Sequence, residues 1–155
     1  MSSSKSGFTL IELLVTISII AILSTVALTT YTTFIKNTRD AKRKTDLKTI
    51  QSALEEYRAD QKYYPASDLI FSISDPDTPI PLTYTSKTYL NSVPVGPAGT
   101  REYSYKAYQT DNTACDNTAS NKCLKYCLYA KLENGIEKTG LCPDQTDFTL
   151  EVTSP

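Results

Sequence analysis

Gly7-Phe8-Thr9-Leu10-Ile11-Glu12 opens the stretch that decides the fold, an apolar run continuing to Ile35 in which Glu12 is the sole charge. Twenty-three residues separate Glu12 from Lys36. At about 1.5 Å each in a helix they cross a hydrocarbon layer of about 30 Å. The 57 residues from Phe8 to Tyr64 contain neither Gly nor Pro, so nothing in them forces a break. One long helix is predicted, in two halves. Residues 8–35 form the membrane and assembly half. Residues 36–64 form an amphipathic half, because Leu47, Ile50, Leu54 and Tyr57 recur at helical spacing and share one face. Glu55, Glu56, Arg58 and Lys62 read as ordinary charges on its other faces, and Tyr63-Tyr64-Pro65 ends it.

A carboxylate at membrane depth costs about 3 kcal/mol or more, so Glu12 requires a compensating partner. A secretory signal would place its small-residue cleavage site after the apolar run. Here the order is reversed, with Lys5-Ser6-Gly7 in front of it. A cut at Gly7 leaves the apolar helix on the mature protein. A plain membrane anchor, for its part, has no use for Glu12.

At these residues the chain resembles the type IV pilin and type II secretion pseudopilin family, whose motif is a short basic leader ending in Gly, then Phe, an apolar helix and a Glu at the fifth mature position. The resemblance implies that residues 1–7 are a leader removed between Gly7 and Phe8 by a membrane prepilin peptidase. It also implies methylation of the new Phe8 amine, engagement with an inner-membrane assembly platform and packing into a helical filament. Tyr63-Tyr64-Pro65 looks like the family's junction between helix and head. Many members carry a helix-breaking Pro where this chain has Thr29. Ser24, Thr25, Thr29, Thr30, Thr32 and Thr33 crowd that region, and their hydroxyls either bond back to the helix or line a helix interface.

Physics supplies a reason for the Glu. Removal of the leader gives Phe8 a free ammonium, and Glu12 of one subunit can meet the Phe8 ammonium of a neighbour inside an apolar filament core. Leaving one member of a buried pair alone is heavily penalised, so the pair acts as a register device for docking subunits. The competing reading, a favourable charge at the positive end of its own helix, is worth only about 0.3–1 kcal/mol.

The mature chain of 155 − 7 = 148 residues is enough for a long helix and one small head at 65–155. Residues 36–48 carry six basic and two acidic side chains, net +4, whereas residues 49–155 carry nine basic and fourteen acidic, net −5. Read alone, the basic flank after the span would place that side in the cytoplasm. Four cysteines in the head argue for oxidising space outside it, as does the family resemblance. The basic stretch has three readings: contact with anionic lipid, pairing with neighbouring subunits, or a solvated face.

The head starts with turn formers from Pro65 through Asp75-Pro76-Asp77 to Pro81. Strands are expected at 102–109, 124–133 and 147–153. In the second, Tyr126, Leu128, Ala130 and Leu132 alternate with Cys127, Tyr129, Lys131 and Glu133, a half-buried antiparallel pattern with one face toward the helix. Cys115, Cys123, Cys127 and Cys142 lack zinc-knuckle spacing and the chain has no His, so disulfides are expected rather than a metal site. The favoured pairing is Cys115 with Cys123 and Cys127 with Cys142, out of three possible connectivities. No cofactor is expected. Asp111, Asn112, Asp116 and Asn117 offer oxygen ligands for calcium, but ordinary turn chemistry explains them better.

An enzyme is not expected, since His, a Gly-rich phosphate loop and a nucleophile elbow are all lacking. A DNA-binding competence pilin draws on the Tyr and Lys interleaved at Tyr103–Lys106 and Lys122–Lys131, yet the acidic head opposes phosphate. The sequence therefore points to an α+β subunit of a type IV pilus-like filament, with a type II secretion pseudopilin or DNA-binding minor pilin as alternatives. It would be a single-pass protein of the cytoplasmic membrane as precursor, then part of an extracellular pilus or envelope pseudopilus. Its partners would be identical or related subunits, the peptidase, the platform and membrane lipid, with nucleic acid disfavoured.

Overall fold

A computed structural model describes residues 7–66, 81–97, 103–143 and 147–155, the side chains of 26–29 excepted. The leader before Gly7, the stretch with Asp75-Pro76-Asp77, Glu102 and the Thr29 side chain lie outside the described residues. The chain divides into two compact units, Met1–Asn37 and Thr38–Pro155.

One helix, α1, runs Leu10–Gln61 through 52 residues. In the first unit it is apolar all round: an eighteen-residue window reaches a mean hydropathy of 2.4 with none of it buried. Such a helix has no internal face to hide and belongs in lipid or against other helices. Thr16, Ser18 and Thr25 donate their hydroxyls to the carbonyls of Leu13, Leu14 and Ile22, so these polar groups bring no unmet hydrogen bond into that surface. The helix stops at Gln61 rather than at 64. Lys62 adopts a left-handed φ of 70°, which ends the repeat three residues before Pro65.

In the second unit α1 packs its expected stripe. Leu47, Ile50, Leu54 and Tyr57 are all buried, together with Ala53. They meet a three-stranded antiparallel sheet of β3 (Tyr103–Tyr108), β4 (Lys125–Ala130) and β5 (Leu150–Thr153), in that spatial order. The register sets Tyr105 opposite Leu128, and Leu128 opposite Val152. Two further strands, β1 (Leu82–Tyr84) and β2 (Lys87–Leu90), form a hairpin that the sequence reading passed over. Its Thr85-Ser86 turn lacks the Gly or Asn that usually marks such a connection, though Thr85 takes a φ of 54°.

The central strand differs from the half-buried expectation. Tyr126, Leu128 and Ala130 face the α1 core, but Cys127 and Tyr129 on the opposite face are also buried, beneath Cys142 and Phe148. The alternation of residue types is real; the second face is covered by a disulfide and an aromatic ring drawn from later in the chain. Glu55 differs too. It accepts hydrogen bonds from the Tyr64 and Tyr126 hydroxyls at 3.0 and 3.1 Å, so it is a structural acceptor at the core edge and no ordinary surface charge. Arg58 donates to the Tyr64 hydroxyl at 2.8 Å, yet burial dominates and pushes that phenol up to about 12.

Much of the basic stretch after the span is spent inside the second unit. Arg39 meets Glu133 at 2.6 Å, and Arg43 bridges Asp40 at 2.8 Å and Glu133 at 3.1 Å. Asp40 also accepts the backbone N–H groups of Glu133 and Asn134, both at 2.9 Å. Lys44 pairs with Glu137. Asp40 and Arg43 are buried, so this is a clamp between α1 and the turn after β4 rather than a solvated face. Its hydrogen bond from Arg39, assisted by Arg43, holds the Glu133 carboxyl down to about 2.

Candidate functional site

The N-terminal end of α1 collects Gly7, Phe8 and Glu12. Phe8 is 91% exposed, and Leu10, Ile11, Leu13 and Leu14 behind it are at least half exposed. Thr9 is the N-cap: its carbonyl accepts the Leu13 amide at 3.3 Å. The Thr9 backbone N–H and hydroxyl donate to Glu12 Oε2 at 2.9 and 2.7 Å, and the Glu12 amide returns a bond to Thr9 Oγ1 at 3.3 Å. Thr9-Leu10-Ile11-Glu12 is thus a reciprocal capping box.

Within its own chain, sequence reasoning gave Glu12 only the positive end of its helix and missed Thr9. The signal was present: a Thr three residues before a Glu at the start of an apolar run. Both bonds that Glu12 receives among the described residues end on Oε2, which holds the carboxylate at the helix mouth. An anion there also sits where the helix dipole favours it. Chemically, the arrangement can receive a cation from outside the chain. It brings together no nucleophile, base and oxyanion donor.

The four cysteines lie in the second unit, away from this site in sequence. Cys115 is bonded to Cys123 and Cys127 to Cys142. The first closes a turn stitched to the end of α1: the Cys123 amide donates to Asn117 Oδ1 at 3.0 Å, Asn117 Nδ2 donates to the Tyr64 carbonyl at 2.8 Å, and the Tyr64 amide donates to the Cys123 carbonyl. Asp111 and Asp116 each use Oδ1 to hold the amide and hydroxyl of the Thr two residues on, Thr113 and Thr118. Those bonds hold both carboxyls below the usual range. Among the described residues no three carboxylate or cysteine side chains converge as a cation site. The rings that suggested nucleic-acid stacking, Tyr103, Tyr105, Tyr126 and Tyr129, are all buried and present no face to a base.

Comparison with known proteins bears on both units. Residues 2–28 match the prokaryotic N-terminal methylation motif, and residues 31–118 match the family described as type II secretion system (T2SS), protein G. The chain is similar to the type II secretion system core protein G of Vibrio cholerae serotype O1, at 29% identity over 103 residues, covering 65% of this chain and 70% of that protein. No solved structure gives a significant match.

Proposed function

Because the chain belongs to the type II secretion system protein G family, we propose that it is a pseudopilin, made as a membrane-anchored precursor and assembled with related subunits into a filament of the cell envelope. Sequence alone ranks a surface pilus subunit first and a secretion pseudopilin second; the family match over 31–118 supports the second. Maturation proceeds by cleavage between Gly7 and Phe8 by a prepilin peptidase and methylation of the Phe8 amine, as the motif over 2–28 suggests. The subunit then passes from lipid to the filament through an inner-membrane assembly platform. The role is structural, and no residue is assigned to catalysis.

The observation that carries this reading is the Thr9–Glu12 capping box at the head of a helix whose first half holds an eighteen-residue apolar window with none of it buried. The box keeps the carboxylate hydrogen-bonded while the subunit waits in lipid, which softens the cost of a charge there. Oε1 then receives the Phe8 ammonium of the neighbour, giving each charge a counter-ion as water is excluded. Glu12→Leu should insert at least as well as wild type, because a neutral side chain costs less in hydrocarbon. Assembly should collapse, since breaking such a pair costs about 3–5 kcal/mol. Membrane-fraction blots and sheared-filament yield from one strain separate the two effects. Wild-type filament yield from the Leu variant alone would refute the pairing.

A further inference from the structure

The turn after β4 carries Asn134-Gly135, the one Asn-Gly pair in the chain. Both residues are exposed. Gly135 takes a left-handed φ of 85°, and no atom lies within 4 Å of the position its Cβ would fill. The two amides before it, those of Glu133 and Asn134, are both taken by Asp40 at 2.9 Å. The Gly135 amide makes no hydrogen bond among the described residues. The peptide nitrogen directly after the Asn134 side chain is therefore unengaged and approachable. The other five asparagines are followed by Ser, Thr or Lys, whose side chains crowd that nitrogen.

We infer that Asn134-Gly135 is a self-modification site, at which the chain converts Asn134 to aspartate or isoaspartate. The Gly135 nitrogen attacks Asn134 Cγ. Its bond to Cγ forms, the Cγ–Nδ2 bond breaks, and Nδ2 leaves as ammonia with the Gly135 amide proton, closing a five-membered succinimide. Water then opens the ring. Addition at Cγ restores the ordinary backbone with a carboxylate in place of the side-chain amide. Addition at the main-chain carbonyl routes the backbone through Cγ, one methylene longer, and frees the α-carboxylate. No reactant besides water is consumed.

The position of the pair gives the reaction its effect. On one side, Asp40 anchors the turn to α1 through the Glu133 and Asn134 amides. On the other, Glu137 anchors it to β5, donating to the Thr149 carbonyl and accepting the Glu151 amide. A methylene inserted between these anchors breaks their spacing. Either product also adds a carboxylate next to Glu133, where two guanidiniums, Arg39 and Arg43, already serve Asp40 and Glu133. Like charges at that range repel. Conversion thus loosens the clamp as the chain ages.

Full-length protein in detergent is aged at neutral pH and physiological temperature in water enriched in oxygen-18, then digested and analysed by mass spectrometry. Conversion at Asn134 should exceed that at Asn91, Asn112, Asn117 or Asn121 on the order of tenfold, because only glycine leaves the attacking nitrogen unhindered. Each converted chain should take up heavy oxygen and release ammonia. The thermal midpoint of aged wild type should fall below that of fresh wild type, whereas Asn134→Gln, which closes a six-membered ring far more slowly, should keep its midpoint on ageing. If Asn134 stays intact in the full chain while a capped peptide of residues 132–138 converts, the fold shields the site and the proposal is overturned. Equal change of midpoint on ageing in wild type and Asn134→Gln would likewise overturn it, since the modification would then leave the clamp untouched.

Discussion

At the scale of single residues, Asp40 holds more structure than its neighbours. Its two oxygens accept the Arg43 guanidinium and two backbone amides of a turn more than ninety residues away, at |i−j| of 93 and 94 for the amides. Asp40→Ala would orphan both amides and strip the buried Arg43 of one of its carboxylates. A loss of about 3–5 kcal/mol is expected from breaking such a buried pair, read as a lower thermal midpoint of the full chain in detergent. A shift no larger than that of an exposed Lys48→Ala would contradict the clamp. Glu133 adds a pH signature. Its folded-state carboxyl lies near 2, below the ordinary Glu value of about 4.3. A depressed carboxyl contributes stability that is complete above the unfolded value and is lost as pH falls toward the folded one. Wild type should therefore weaken between about pH 4.3 and 2 more steeply than Glu133→Gln, and equal slopes would show that Arg39 and Arg43 do not hold it.

At the scale of elements, β4 is the strand whose environment most exceeds its pattern. Its helix-facing side was legible from Tyr126, Leu128 and Ala130 alternating with other residues. Burial of Cys127 and Tyr129 was not, because Cys142 and Phe148 arrive from a segment with no local relation to the strand. The Cys127–Cys142 bridge spans 15 residues and Cys115–Cys123 spans 8. Removing a native bridge from a small secreted domain typically costs about 2–5 kcal/mol. The longer loop adds about 0.6 kcal/mol of closure entropy over the shorter, and its loss also uncovers Tyr129. Replacing Cys127 and Cys142 together by Ala should thus lower the midpoint more than replacing Cys115 and Cys123. The reverse order would show that the turn at the end of α1, not the cover of β4, is the weaker point. The β1–β2 hairpin went unread because Thr85-Ser86 lacks the usual turn residues.

At the scale of the whole molecule, maturation offers the plainest expectation: the intact mass should correspond to a chain starting at Phe8 with one added methyl group, and Gly7→Leu should leave the precursor uncut. A chain retaining Met1 in cells with active prepilin peptidase would sink the processing scheme. What the sequence determined by itself is what local physics dictates. A run without Gly or Pro makes one helix, its apolar half is long enough for a bilayer, and its 3.6-residue stripe names Leu47, Ile50, Leu54 and Tyr57 as core. Even the Thr9–Glu12 box is local, and was readable from its spacing. The tertiary structure alone decided where the charges of the basic stretch go. Arg39, Arg43 and Lys44 find Glu133 and Glu137 some ninety residues later, at separations of 94, 90 and 93, so a flank that read as a topology signal became a clamp. Charge counted along a chain carries no record of which carboxylates the fold will bring beside it, and only packing of α1 on the sheet sets that pairing.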